Sequence, residues 1–217
     1  VPGNSLPRYH VLWGTGWGLV EAIIERLKPY LADNSLTIHH QHKVLKPLLE
    51  SDRTIGVEVC NEITTESFEL YSDNVVIACG GINGSAKQVR KNWYKAWGEV
   101  PQTFLNGANP ISDGALHGAV IDCGGKVTRE QDMWNYAAGI HHPQAEFEGH
   151  GLSLIPCKSA LWLDHTGKRI GGMPLVTGFD TNYLCEQVVK QAKPWTWQLM
   201  NWRIAAKELA VSGSLHN

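Results

Sequence analysis

Two glycine-containing stretches lie where the main chain can approach a charged or planar ligand. The first, WGTGWG at residues 13–18, comes just before a stretch with helical periodicity. A dinucleotide fingerprint needs G-x-G-x-x-G after a buried strand, so that amides at the helix N-terminus meet a pyrophosphate. Here the third glycine comes one residue early, and residues 8–12 are a poor central strand. The pattern therefore favours a glycine-rich start of a helix over a cofactor loop.

The second glycine stretch carries more information. Residues 74–79, NVVIAC, are an apolar run that predicts a buried strand of an α/β sheet, and Gly80 and Gly81 follow it. Consecutive glycines there let the main chain approach a ligand at the edge where α/β sheets bind ligands. A tight turn into the next helix explains the same residues equally well. The residues alone leave both interpretations open.

Asp113 follows a polar loop and opens a predicted helix. We expect Ser112 to cap this helix, which passes through Ala119 and ends at Gly124. A carboxylate in the first turn complements the helix dipole without any ligand. The same carboxylate can contact a hydroxyl group of a cofactor. The local pattern favours the first role.

Histidines cluster at residues 39–42 and at His141 and His142. His40 and His42 share a face if they lie on a strand, but no carboxylate or cysteine stands at ligand spacing, so no metal site is predicted. His141 and His142 lie in an irregular, aromatic stretch that fits loops lining a cavity. Imidazole titrates near neutrality, so either residue is a candidate for proton transfer, as is Tyr136. A structural role is open for each of them.

The elements that must position these residues mix helices and strands. Helical spacing of apolar residues predicts a helix over residues 17–31. Alternating residues predict an antiparallel meander of strands, which lie within residues 37–49, 55–59 and 67–71. Residues 160–163 read as a strand. Further helices are predicted from Asp180 or Thr181 towards Lys190 and over residues 195–211. The boundary between two parts is expected near residues 85–110.

Composition narrows the class of protein. The 217 residues are 43% hydrophobic and 18% charged, with a net charge of -2, which disfavours electrostatic binding of nucleic acid. No apolar stretch is long enough to span a bilayer, and no signal peptide precedes the first helix. Five widely spaced cysteines favour buried thiols in a reducing compartment, so a cytoplasmic location is expected. The two ends do not read as natural termini, so we expect a truncated piece.

Several segments, taken in order, resemble one flavoprotein family. The hairpin at residues 37–57 resembles its strand hairpin, and NVVIACGGIN at 74–83 is similar to its "vvlATGGf" segment. NPISDGALHGAVIDCGG at 109–125 resembles its "GDG…A…aGa" segment, and ALWLDHTGKRI at 160–170 resembles a strand and turn of its capping domain. On these residues the chain resembles the flavoproteins that include fumarate reductases, succinate dehydrogenase flavoprotein subunits and 3-ketosteroid dehydrogenases.

A subgroup of FAD-binding dehydrogenases, similar to ketosteroid dehydrogenases, is the better match within that family. The segments that are similar to it are DMWNYAAG at 132–139, GFDT at 178–181 and the stretch from residue 195 onward. Where fumarate reductases follow "GKRF" with Glu and a second Arg, Arg169 here is followed by IGGMP. Fumarate or succinate chemistry is therefore not expected.

The resemblance implies an α/β fold with α+β character. Residues 1–105 would be part of a Rossmann-like flavin-binding domain with its β-meander, and residues 106–217 part of an α+β capping domain. The implied cofactor is FAD. Val44 would place its main chain near the adenine, Asp113 would contact FAD, and residues 134–142 would face the substrate. Three further residues would lie along the diphosphate and ribose: Ala78, Cys79 and Gly80.

The implied function is that of an FAD-dependent oxidoreductase. It would transfer a hydride between the flavin and a small organic, ketosteroid-like substrate, with Tyr136, His141 or His142 as acid or base. The family's dinucleotide fingerprint is not matched here, so we expect this fragment alone to bind FAD weakly and to be inactive. A non-catalytic ligand-binding module on the same scaffold is the alternative. A nicotinamide-binding reductase using residues 14–16 is less favoured because of the glycine spacing.

Overall fold

A computed structural model describes residues 15–155, 157, 159–171 and 181–211. These residues form two compact units, each built from separate segments. One unit contains Arg26–Asn92 and Ala108–Asp132; the other contains Trp93–Gly107, the described residues from Met133 onward and the start of the first helix. The prediction of a fold that mixes helices and strands is confirmed. The division into domains 1–105 and 106–217 stays a prediction.

Helix α1 runs from Thr15 to Ala32 and confirms the helix predicted over residues 17–31. Apolar residues recur every three or four positions along it, which places them on one side of the helix. Several of these side chains are exposed, including Trp17 and Ile23. The WGTGWG motif lies partly outside the described residues, and its described part belongs to this helix.

The antiparallel meander is also confirmed. Strands β1 (His42–Glu50), β2 (Arg53–Asn61) and β3 (Ser67–Tyr71) form a sheet in the order β1-β2-β3. A Cβ on Gly56 would lie 2.1 Å from the carbonyl oxygen of Leu70, so the close approach of β2 and β3 requires glycine there.

The proposed common strand face of His40 and His42 is wrong. Strand β1 begins only at His42, because Gln41 has a φ of 58° and interrupts the extended backbone before it. His40 therefore lies outside the strand.

The buried strand predicted over residues 74–79 is also wrong. These residues are irregular, and the side chain of Val76 is 90% exposed. A strand needs a neighbour to receive its main-chain hydrogen bonds, and no described strand pairs with this segment. The apolar pattern indicated a segment that could be buried, but it did not show whether neighbouring strands are present to pair with it.

Two helices follow in the same unit. Helix α2 (Ala86–Lys91) is capped by Ser85, whose hydroxyl accepts a hydrogen bond from the amide of Gln88. Helix α3 (Ala115–Asp122) starts after Gly114, which has a φ of 75°, so the predicted cap at Ser112 is wrong by two residues. The predicted helix end is confirmed, since the chain leaves α3 at Cys123 and Gly124.

The other unit contains short strands and helices. Strands β4 (Gly139–His141), β5 (Gly151–Ile155) and β8 (Ala210–Val211) form one antiparallel sheet, and β6 (Leu161–Leu163) pairs with β7 (Trp197–Leu199). The strand predicted over 160–163 is confirmed. The helix predicted towards Lys190 is α4, Thr181–Val189; Asp180 lies outside the described residues.

The single helix predicted over residues 195–211 is wrong in part. Residues Trp197–Leu199 pair with β6, and α5 (Trp202–Glu208) starts only after Asn201. The Asn201 side chain accepts a hydrogen bond from the amide of Ile204 at 2.9 Å, which caps the helix at that point. Periodicity alone could not reveal this cap or the strand before it.

A small core holds this second unit together. Trp162, Ile170 and Leu184 are buried against one another, with Ala137, Ala138, Tyr183 and Val188 packed around them. The indole of Trp162 donates a hydrogen bond to the hydroxyl of Thr196 at 2.7 Å, which satisfies its polar atom inside the core.

All five cysteines are free thiols. In the part of the chain that the structure describes, no helix is long and apolar enough to cross a membrane. The same residues contain no group of three His, Cys, Asp or Glu side chains that could hold a metal ion.

Candidate functional site

An exposed segment of main chain forms the first part of the candidate site. Ala78, Cys79, Gly80 and Gly81 are all exposed, and among the described residues no hydrogen bond engages their main-chain groups. Gly80 has a φ of 77°, and a Cβ added to Gly81 would meet no atom within 4 Å. Unpaired amides in an open stretch of backbone are suited to donate hydrogen bonds to the oxygens of a charged ligand.

The turn after this segment packs closely against the loop that precedes α3. The amide of Gly84 donates to the carbonyl oxygen of Ser112 at 2.9 Å, and a Cβ on Gly84 would lie 2.2 Å from the carbonyl oxygen of Asn109. A Cβ on Gly80 would stand 3.0 Å from the hydroxyl oxygen of Ser112. Two loops that are distant in the sequence are therefore held together through glycine positions.

Asp113 lies within this second loop. One oxygen of its carboxylate accepts a hydrogen bond from the amide of Ala115 at 2.8 Å, which satisfies a free donor at the start of α3. Among the described residues no donor engages its other oxygen. The carboxylate can therefore hold the amide of Ala115 and still accept a hydrogen bond from a hydroxyl group of a ligand.

Val44 lies on β1, opposite Val59 of β2. Among the described strands, β1 is an edge of its sheet, so part of its main chain faces away from β2. A bulge between Val44 and Lys46 interrupts the ladder next to this position. Among the described residues, no hydrogen bond joins Val44 to the segment that contains Gly80.

A pocket of about 150 Å³ lies beside β1 and α3. Its lining is mainly apolar and includes Pro47, Ile77, Val120 and Cys123. Pockets for cofactors and drug-sized ligands usually measure roughly 300 to 1,000 Å³. This pocket is too small for a dinucleotide, and none of the five predicted cofactor residues lines it.

The predicted acid or base residues all lie in the other unit. Tyr136 is 45% exposed, and its ring centroid lies 6.4 Å from that of Trp134. No described residue forms a hydrogen bond with the Tyr136 hydroxyl. His141 ends β4, opposite Gly151, and its imidazole is exposed. Both groups can therefore donate or accept a proton.

His142 differs from these two residues because its ring is held on several sides. Its Nδ1 accepts a hydrogen bond from the amide of Gln144 at 3.0 Å. Its ring stacks on that of His150 at 4.1 Å, and His150 stacks in turn on Phe147 at 4.4 Å. Of the two ring nitrogens of His142, Nε2 alone remains available to exchange a proton with a ligand. A structural role therefore fits this residue best.

The sequence did not reveal this stack or the contact between Ser112 and Gly80. Nothing in the eight-residue separation of His142 and His150 indicates that their rings meet, because the intervening turn lacks a regular period. Ser112 was singled out, but as a helix cap. The one signal for that contact was the pair of glycines at residues 80 and 81, which the sequence analysis associated with a close approach of the main chain to another group.

Comparison with known proteins adds to this geometry. The sequence pattern of a family described as FAD binding domain matches residues 3–195. Two proteins described as KsdD-like steroid dehydrogenases, from Mycobacterium tuberculosis and Mycolicibacterium smegmatis, are similar to this chain at 34% and 32% identity. Each alignment covers 99% of this chain, and the chain spans about 40% of the length of these curated relatives.

Proposed function

This chain belongs to the FAD binding domain family, and from that premise we propose that its protein is an FAD-dependent dehydrogenase. The observation that carries the proposal is the exposed backbone of Ala78–Gly81 beside the loop that holds Asp113. The main-chain amides of this segment suit the diphosphate of FAD, and the carboxylate of Asp113 suits a hydroxyl group of its ribose. The finer architecture, a Rossmann-like flavin domain with a capping domain, belongs to the same proposal.

The residues present fit the cofactor by chemistry. The free amides of residues 78–81 supply hydrogen-bond donors for a diphosphate, and the absence of a side chain at Gly80 and Gly81 lets the phosphates come close. The free oxygen of Asp113 can accept a hydrogen bond from a ribose hydroxyl. The outer edge of β1 at Val44 can pair with an adenine through its main chain.

We propose a ketosteroid-like substrate, in keeping with the description of the two mycobacterial relatives as steroid dehydrogenases. FAD, when bound, supplies the hydride acceptor for such a dehydrogenation. The protein must bind and orient the substrate and exclude water from it. It must also exchange a proton with the substrate, because loss of a hydride from one carbon leaves a proton to be removed from its neighbour.

Tyr136 and His141 are the candidates for this proton transfer, since both carry a polar group that no described residue engages. The Tyr136 hydroxyl can donate a hydrogen bond to a substrate carbonyl and so make the adjacent C–H bond more acidic. The His141 imidazole can take up the proton. His142 is the weaker candidate, because the amide of Gln144 already engages its Nδ1.

The test is anaerobic reduction of the full-length protein by a saturated 3-ketosteroid. The proposal predicts bleaching of the flavin bands and formation of the unsaturated ketone in equal amounts. A flavin that stays oxidised with every ketosteroid and small-molecule donor would contradict the proposal and support a non-catalytic ligand-binding module.

A further inference from the structure

Trp134 and Tyr136 form an exposed aromatic pair on an anchored segment. Their side chains are 75% and 45% exposed, and their rings are inclined by 43°. Asn135 and Ala137, which alternate with them along the chain, are half-buried. One side of this segment therefore faces the unit that supports it, and the other presents two aromatic rings outward.

Several contacts hold the supporting side in place. The thiol of Cys185, which is 4% exposed on α4, donates to the carbonyl oxygen of Asn135 at 3.5 Å. Ala137 and Ala138 pack against the core around Trp162. The amide of Leu154 donates to the carbonyl oxygen of Ala138 at 3.0 Å. The aromatic pair is thus set in position by the fold, so a ligand that binds it pays little entropy for ordering it.

The chemistry of the pair suits a flat, apolar molecule with a polar end. An indole offers a large apolar face with few rotatable bonds, and aromatic side chains of this kind dominate binding energies. The adjacent Tyr136 hydroxyl can form a hydrogen bond with a carbonyl group. A fused-ring ketone combines both requirements, whereas a small hydrophilic acid offers no apolar surface to the exposed indole.

Resting on the function proposed above, we propose that Trp134 is a specificity-determining residue. Its indole packs against the apolar ring skeleton of the substrate and keeps the carbonyl end beside the Tyr136 hydroxyl. Trp134 acts on binding and orientation; it exchanges no proton with the substrate.

The test is equilibrium dialysis of progesterone against the full-length, FAD-loaded protein and its variants. Trp134→Ala is expected to raise the Kd about tenfold, the loss of roughly 1.4 kcal/mol of aromatic contact. Trp134→Phe is expected to restore most of the affinity. The matched control is Trp202→Ala, which removes an indole that is 85% exposed in the same unit and is expected to leave the Kd unchanged.

A one-ring ketone, cyclohexanone, separates recognition of the skeleton from recognition of the carbonyl. Its binding is expected to be equally weak in the native protein and in Trp134→Ala. Unchanged progesterone binding by Trp134→Ala would overturn the inference. So would a fall in FAD content or thermal stability that Trp134→Phe fails to restore, because Trp134 would then be packing against another part of the protein.

The two proposals fail in different ways. A protein that holds FAD but does not bind progesterone would overturn the role of Trp134 and leave the proposed flavin chemistry standing. A protein that holds no FAD would count against the proposed function itself.

Discussion

The hydroxyl oxygen of Ser112 lies 3.0 Å from the point that a Cβ on Gly80 would occupy. Ser112 also accepts a hydrogen bond, through its carbonyl oxygen, from the amide of Gly84. The open backbone at residues 78–81 and the loop that carries Asp113 are therefore held together at positions where a larger side chain does not fit. This contact joins four of the five predicted cofactor residues into one region.

Gly80→Ala is expected to reduce the FAD content of the full-length protein and to destabilise it. A non-glycine residue with a left-handed backbone costs about 1 to 2 kcal/mol, and the new methyl group must displace the Ser112 side chain. The measurements are the ratio of FAD to protein and the melting temperature. Gly118→Ala is the control, because Gly118 lies within α3 and a Cβ there meets no atom within 4 Å. Equal behaviour of the two variants would show that the conformation of Gly80 does not matter.

Substitutions of Asp113 separate capping from cofactor binding. Asp113→Asn keeps an oxygen that can cap Ala115 but removes the charge, so we expect near-native stability with FAD affinity lowered about tenfold, as for loss of a charge-assisted hydrogen bond. Asp113→Ala is expected to lose a further ~1 kcal/mol of stability, because it also removes the hydrogen bond to the amide of Ala115. Titration with FAD and thermal unfolding measure the two effects. Native FAD affinity in Asp113→Asn would restrict Asp113 to the capping role.

Burial of Cys185 predicts a loss of stability at alkaline pH. Desolvation raises the pKa of this thiol from its ordinary value of 9.0 to about 11 in the folded protein. In the unfolded chain this thiol loses its proton at lower pH than in the folded protein. The free energy of unfolding therefore keeps the full contribution of the buried neutral thiol below pH 9 and loses it as pH rises from about 9 to about 11. This loss amounts to about 2 to 3 kcal/mol.

Urea unfolding of the full-length protein at a series of pH values measures this effect. Cys185→Ala is expected to flatten the decline between pH 9 and pH 11 relative to the native protein. Cys79→Ala, which removes an exposed thiol, should leave the decline as it is. If Cys185→Ala shows the native pH dependence, the thiol does not carry it.

The proposed proton transfer predicts an order of activity among three variants. Tyr136→Phe and His141→Ala should lower the rate of flavin reduction by about 100-fold or more, the usual contribution of an acid or base. His142→Ala should lower it less and should destabilise the loop that contains His150, because it removes the stacked ring. Stopped-flow reduction by a saturated ketosteroid measures the rates. Native rates in all three variants would remove these residues from the chemistry.

The sequence predicted elements well where their signal is local. The helix at 15–32, the β1-β2-β3 meander and the start and turn of β6 follow from periodicity and turn residues. The strand predicted over residues 74–79 was wrong because a strand forms only beside neighbouring strands, and periodicity in the sequence does not describe those neighbours. The prediction of one helix after residue 195 was wrong for a similar reason. Residues 197–199 pair with β6, and the side chain of Asn201 caps a shorter helix that starts after it.

The candidate site was predictable only in part for the same reason. Glycine pairs and an acid before a helix are local features, and they identified Gly80 and Asp113. The stack of His142 on His150 and the hydrogen bond from Cys185 to Asn135 depend on tertiary contacts. No spacing in the sequence indicates such contacts, so the difference between His141 and His142 became visible only in the structure.

The absorption spectrum of the purified full-length protein tests the central claim most directly. We predict flavin bands in the visible range and release of FAD, in a ratio close to one per chain, when the protein is denatured. A colourless protein that also fails to take up added FAD would contradict the account.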